Sequence, residues 1–369
     1  CDKRMCNEMS NQVLIEDVSE FVEHFKLKDV LKDSTFLITG ATGLIGSILI
    51  RCLLAMNKNI RVIAPVRNVE KAQRMFGVVG NELQFLPYNI ETYDYEDIQN
   101  VDYIVHCAAP TSSKFFVEHA VETLNTIYKG TSLLLEYARK HKVKSMVYLS
   151  SLEVYGSIYD DSKIVTEDVQ GHVDTMSVRS SYPMAKRAME TLCCLYEKEY
   201  GVPVKIARIA QTFGPGIDVR TENRVYKFFA DSILGKKNIV LKSTGSTIIN
   251  YGYTTDVVKG LFCILQKGKN GESYNLVGDK TGMTILDSAK WLAEEFGEGQ
   301  VDVVIDIPKE NAGFAPDNNM VLENDLIRTL GWYPSHDLKD GYTRLLDYMK
   351  EEYSKPKEKN IGSKPSNNE

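Results

Sequence analysis

No CxxC pair and no Cys/His cluster with ligand spacing occurs among the seven cysteines, Cys1, Cys6, Cys52, Cys107, Cys193, Cys194 and Cys263. An odd, scattered set of this kind argues against a disulfide framework and a structural metal site, and is expected of reduced thiols in a cytoplasmic protein. No uninterrupted apolar run reaches the length of a bilayer span, so no membrane partner is expected. The opening stretch CDKRMCNEMS is charged and lacks the apolar core of a signal peptide. It also begins without Met, so the chain is expected to start inside a longer reading frame. Positive charge is in deficit: 44 Lys and Arg against 50 Asp and Glu leave a net −6. That balance argues against nucleic acid and anionic surfaces as partners. Internal repeats are lacking too.

What is present is the composition of a soluble globular enzyme, 43% hydrophobic and 25% charged, in 369 residues. That length can bury a large core and has room for two domains. The stretch STFLITGATGLIG, residues 34–46, organises the rest. Residues 36–39 read as a short buried strand, followed by Gly40, Gly43 and Gly46 and then an apolar helix over 44–56. A strand, a glycine turn and a helix start make a seat for a dinucleotide pyrophosphate. Gly40 allows the tight turn, Gly43 the approach of phosphate, and Gly46 the close packing of helix on strand. The first-turn amides, at Leu44 and Ile45, and the positive helix end stabilise the phosphate charge.

Further strands are expected at 60–66, 83–86, 101–106, 143–149 and 202–209, alternating with helices that include 117–140. This alternation implies an α/β fold, a Rossmann-type doubly wound parallel sheet covered on both faces. An amphipathic helix over 18–31 is expected to pack outside it. The second strand ends Ala64-Pro65-Val66-Arg67, without the acid that normally bonds the adenosine ribose. Arg67 in its place meets either solvent or a 2′-phosphate, so NAD and NADP both stay open. The third strand leads into Asn89 and Ile90. The fourth ends in Ala108, Ala109 and Pro110, small enough to leave room for a flat ring system. Asn125 lies within the helix 117–140. Beyond Gln211 the regular alternation ends. The expected organisation is a helical extension over 1–33, a dinucleotide-binding domain over 34–212, and a smaller α+β substrate domain over 213–350. Residues 251–267 are expected to return to the first domain, and 354–369 to form a disordered tail.

Tyr182 and Lys186, four apart, share one face of a helix. They follow a strand that ends Ser150-Ser151, with Leu152, Glu153, Val154, Tyr155 and Gly156 after it. Together GATGLIG, SSLEVYG and SYPMAK resemble the extended short-chain dehydrogenase/reductases, and more narrowly the nucleotide-sugar epimerases and dehydratases, over about 34–348. The resemblance implies that Tyr182 takes a proton from a sugar hydroxyl while hydride passes to the nicotinamide. Lys186 then holds the nicotinamide ribose and lowers the phenol pKa, which is necessary because a free phenol near ~10 is a poor base at neutral pH. Ser151 is implied to hydrogen-bond the phenol and the reacting oxygen.

Glu153 either acts as a base at C5 of a 4-keto sugar, positions a substrate carboxylate, or merely pairs nearby. Leu152 cannot donate a proton, which argues against the glucose-type 4,6-dehydratases. Arg179-Ser180-Ser181-Tyr182 with Lys186-Arg187, and Asn223-Arg224-Val225, resemble segments of UDP-glucuronate decarboxylases. In that chemistry, oxidation at C4 makes a β-keto acid that loses CO₂. Epimerisation, dehydration and net NADPH-dependent carbonyl reduction are the alternatives. Two departures stand out: Gln211 replaces the usual Asn at the nucleotide sugar, and Ile249 the usual Arg at its diphosphate. Arg220 or Arg224 is then expected to supply that charge. The resemblance also implies a homodimer formed through helices at 117–140 and 182–200.

Overall fold

The computed structural model describes residues 11–77, 80–88, 95–158, 163–307 and 319–356. Its centre is a seven-stranded parallel sheet: β1 (Thr35–Thr39), β2 (Arg61–Val66), β3 (Leu83–Pro87), β4 (Tyr103–His106), β5 (Ser145–Ser151), β6 (Val204–Ile209) and β7 (Ser273–Leu276). The spatial order is β7-β6-β5-β4-β1-β2-β3. All five residues of β1 are buried. Phe36 and Ile38 enter one apolar cluster and Leu37 the opposite one, because alternate side chains of a strand point to opposite faces. A strand with both faces covered reads as a continuous apolar run, as this one does. The order reverses between β1 and β4, which pair Phe36 with Tyr103 and Thr39 with His106. In open sheets of this kind, ligands bind outside the strand ends at that reversal.

On one face lie α1 (Gln12–His24), α2 (Leu44–Ala55), α3 (Val69–Phe76) near the sheet edge and a later helix returning from the C-terminal half, Thr254–Lys267. On the other lie α4 (Ser113–Glu118), α5 (Ala120–His141) and α6 (Ser181–Tyr200), with α5 and α6 packed side by side. A separate apolar cluster gathers Phe213, Tyr226, Phe229, Leu292, Tyr342 and Leu345. It is built from helices Val225–Leu234, Ile285–Phe296 and Leu338–Ser354 and from short two-stranded pairings.

Three elements depart from the sequence expectation. The first helix runs over Gln12–His24 rather than 18–31 because Asn11 caps it, its Oδ1 accepting from the Val13 amide at 3.1 Å. Phe25 leaves the helix in extended conformation yet stays buried, stacked on Phe21 at 5.0 Å. The helix expected over 117–140 is two helices, broken at His119 (φ −133°, ψ 52°). Its first part starts earlier, at Ser113, where the Ser112 hydroxyl accepts from the Phe115 amide. The seventh strand, β7, was not anticipated, since Ser273, Tyr274, Asn275 and Leu276 alternate too little to announce a buried strand. Its Asn275 is accommodated by Tyr155, whose hydroxyl donates to Oδ1 at 2.5 Å, and by the Val165 carbonyl. The expected tail lies almost wholly in 357–369, outside the described residues.

Candidate active site

The glycine turn has a shape that side chains would fill. Gly40 has φ +72°, and a Cβ there would stand 2.8 Å from the Ala108 amide nitrogen at the tip of β4. A Cβ on Gly46 would stand 2.3 Å from the Gly40 carbonyl oxygen, and one on Gly43 3.3 Å from the same atom. The first helical turn therefore lies directly on the glycine turn. Gly43, which has no side-chain cap, starts α2 at Leu44 and Ile45. A helix start bare of side chains at the sheet's reversal point fits a dinucleotide pyrophosphate. Arg67 is exposed immediately after β2. Ala108, Ala109 and Pro110 are half-buried just beyond β4. Asn125 is half-buried on α5 and lines a groove with Leu124, Ser181 and Met184. Asn89 and Ile90 lie outside the described residues.

A buried relay, unnoticed in the sequence, braces this turn. Thr131 donates to the Ile127 carbonyl (2.7 Å) and so accepts from His106 Nε2 (3.2 Å). His106 Nδ1 is then the acceptor for the Thr39 hydroxyl (2.6 Å), which itself accepts from the Ala108 amide (3.3 Å). The direction of every bond follows from donor and acceptor inventory. Burial pushes the imidazole down to about 3, with Lys186 adding to the effect, so His106 is neutral.

At the end of β5 and the start of α6, the structure brings Ser151, Tyr182, Lys186, Glu153 and Arg179 together. Tyr182 is buried and hydrogen-bonded to Ser151. Burial pushes its phenol up, Glu153 adds to this, and Ser151 and Arg179 oppose it. Lys186 is 3% exposed. Its ammonium donates to the Leu149 carbonyl at 2.6 Å and stands 4.7 Å from the Tyr148 ring centroid and 5.7 Å from that of Tyr182. Burial lowers Lys186 to about 8, while Glu190 works in the opposite direction. The phenol is thus held high by its dry surroundings, in contrast to the lowered value that the resemblance implies.

Glu153 sits in a short 3-10 turn, Leu152–Tyr155, that follows β5 directly. Its amide donates to Ser151 Oγ at 3.2 Å. Arg179 grips its carboxylate through both oxygens, at 3.0 and 2.9 Å. Arg187 pins the same turn by donating to the carbonyls of Val154, Tyr155 and Gly171. Phe116, absent from the sequence reading, stacks on Tyr182. Nothing in its helical spacing separates it from ordinary core.

The remaining candidates stand apart from this cluster in their bonding. Gln211 begins a short strand paired with Tyr251–Tyr253. Ile249 is buried, in a strand paired with Met283–Thr284. Arg220 is exposed, its amide bonded to Asp218. Arg224 is held at two nitrogens by Glu222, which also accepts from Tyr226. Of the two arginines expected to offer charge to a diphosphate, Arg224 is therefore already neutralised.

A doubly wound sheet with a glycine-lined turn at its reversal and a Ser-Tyr-Lys group beside it defines an extended short-chain dehydrogenase/reductase. The NAD dependent epimerase/dehydratase family matches residues 36–277. The chain belongs to that family and is an NAD-dependent enzyme. Among its relatives is UDP-glucuronic acid decarboxylase 6 of Arabidopsis thaliana, 26% identical over 319 residues, covering 86% of this chain and 88% of the relative. A dTDP-D-glucose 4,6-dehydratase of Bos taurus is 26% identical over 338 residues, with 86% and 89% covered. Among solved structures, the UDP-glucuronic acid 4-epimerase of Bacillus cereus, in complex with UDP-glucuronic acid and NAD, superposes with a TM-score of 0.72. It is 23% identical, with 86% of this chain and 100% of that one covered.

Proposed function

We propose that this enzyme transforms a nucleotide sugar through a 4-keto intermediate, with UDP-glucuronate decarboxylation as the preferred reaction. The observation that carries the reading is the Glu153–Arg179 pair set against Tyr182 and Ser151. The pair brings one carboxylate and one guanidinium beside the Ser151–Tyr182 group, which supports a substrate that carries a carboxylate of its own. NAD, held by the Gly40–Gly46 turn, supplies reversible oxidation at C4 of the sugar. Tyr182 takes the proton of the C4 hydroxyl and later returns it, with Ser151 bridging phenol and substrate oxygen. Lys186 adds positive charge beneath the phenol. A C4 ketone makes the C6 carboxylate a β-keto acid; CO₂ leaves, and the ketone accepts the electron pair. C5 then regains a proton, a step assigned to Glu153. Leu152 has none to give, which favours decarboxylation over dehydration.

Mass spectrometry of the purified protein incubated with UDP-glucuronate tests this. A product lighter by CO₂ is expected. Loss of water from a UDP- or dTDP-hexose instead would move the assignment to a dehydratase, and an unchanged mass with altered retention to an epimerase. Glu153→Gln is expected to stop after C4 oxidation and CO₂ loss, with the hydride left on the cofactor and a 4-keto sugar lighter than substrate by CO₂ and two hydrogens, and to slow the later steps by ~10²-fold or more. A Glu153→Gln enzyme as fast as wild type would make this residue structural and favour an epimerase.

We further propose a cytoplasmic homodimer. Free cysteines at all five described positions suit a reducing compartment. Among the described residues, no helix is long and apolar enough to cross a membrane. Val121, Leu124 and Tyr128 line an exposed stripe on α5, and Leu195 and Tyr200 stand exposed on α6. Val121→Glu together with Leu124→Glu is expected to halve the mass seen in sedimentation; an unaltered mass would remove this face from the interface.

A further inference from the structure

We propose that Phe116 is a positioning residue that fixes the plane of Tyr182 and keeps one face of that ring dry. The two rings are nearly parallel, 10° apart, with centroids 4.2 Å from each other. Phe116 is 2% exposed. It also carries the Arg179 guanidinium, whose central carbon lies 5.1 Å from the Phe116 centroid. The same Arg179 grips Glu153. One phenyl ring therefore connects the phenol to the ion pair, and packing alone would not require both contacts.

The backbone is arranged to deliver this ring. The break at His119 detaches α4 from α5, so that Phe116 is not bound to the face of the longer helix. The His119 imidazole packs on Phe115 at 4.6 Å, bracing the break. Ser181, next to Tyr182, donates its hydroxyl to the Phe116 carbonyl at 2.9 Å. The two aromatic residues are thus tied by backbone as well as by ring contact. An arginine over an aromatic face adds attraction, and a pair of stacked rings contributes beyond its buried area.

The groups acting on the phenol from its neighbours are Glu153 and Arg179, the Ser151 hydroxyl, the Lys186 ammonium and the Tyr148 ring system. Phe116 adds no charge to this set. Its part is to exclude water and to hold orientation, so its loss should move both the titration of Tyr182 and the rate constant.

The inference rests on the assignment of Tyr182 as the proton-exchanging group, and its test has an arm that needs no substrate. Full-length protein labelled with ¹³C at the tyrosine Cζ is titrated by NMR, with the Tyr182 resonance assigned by its loss in Tyr182→Phe. Wild-type Tyr182 should stay protonated beyond the ordinary tyrosine midpoint near ~10, and Phe116→Ala should bring its midpoint down by about one pH unit. Phe116→Tyr should restore the wild-type titration. With UDP-glucuronate, Phe116→Ala should lower kcat ~10- to 100-fold with KM nearly unchanged. Should Phe116→Ala not fold, Phe116→Leu keeps the volume without the plane, and a smaller downward movement of both readouts is expected. An unmoved Tyr182 resonance in a folded Ala or Leu variant would overturn the proposal and leave Phe116 as core filling. If wild type does not convert UDP-glucuronate, the functional reading fails while the titration still decides the role of Phe116.

Discussion

Tyr182→Phe lowers turnover by about 10³-fold while NAD stays bound and the fold is kept. The expectation follows from how little else the hydroxyl does. The ring supplies the buried surface and the stack on Phe116, and phenylalanine keeps both. Only the bond to Ser151 is lost, and Ser151 Oγ still accepts from the Glu153 amide. A stability change of about 1 kcal/mol at most is expected from one such hydrogen bond. The glycine turn proposed to hold the nucleotide makes its closest approaches at Gly40, Gly46 and Ala108, none of them to Tyr182. Turnover, thermal midpoint and the dinucleotide released on denaturation are the three measurements. Full activity would remove the assigned base. Loss of NAD or of several degrees of stability would show that the hydroxyl holds the site together instead.

The parts of the molecule that could be read in advance are those whose physics is local. The strand and glycine turn at 36–46 announce themselves because a doubly covered strand is uniformly apolar and because the backbone approaches at Gly40 and Gly46 leave no room for a Cβ. Tyr182 and Lys186 could be paired because a helix repeats near four residues. What could not be read depends on contacts distant in sequence. Phe116 reaches Tyr182 across 66 residues only because the chain breaks at His119. That break is not marked by glycine or proline. The Thr39–His106–Thr131 relay joins three elements, and each residue alone looks like ordinary strand or helix filling. Arg224 looked available for a diphosphate, but Glu222, two residues earlier, folds back onto it. β7 was hidden by Asn275, a polar residue in a wholly buried position whose partners Tyr155 and Val165 lie more than a hundred residues away.

Lys186→Met is expected to move activity and stability in opposite directions. Turnover should fall by ~10²-fold or more, since the cation beneath the phenol disappears. Stability at neutral pH should rise. The native protein holds this ammonium at about 8, against the ordinary 10.5, because burial outweighs the pull of Glu190. Between those two values the unfolded chain binds more protons than the folded one, so wild-type stability increases as pH rises from about 8 to 10.5. Below that window both states carry the charge, and the folded state bears the full cost of keeping it dry. Methionine has similar length and no charge, so it removes that cost, while the Leu149 carbonyl loses its donor. The carbonyl's loss of about 1 kcal/mol offsets part of the gain. A net stabilisation of about 1–2 kcal/mol at pH 7 remains, or a few degrees in Tm. The gain should shrink as pH climbs towards 10.5. Denaturant unfolding of both proteins at several pH values measures it. A constant difference across that range would mean that packing, not charge, sets the effect. A Lys186→Met protein less stable at every pH would show that the Leu149 bond and the contacts over Tyr148 and Tyr182 outweigh the buried charge. Lysine would then be retained for structure, whereas the expected result, a more stable but inactive protein, leaves catalysis as the reason for keeping a cation there.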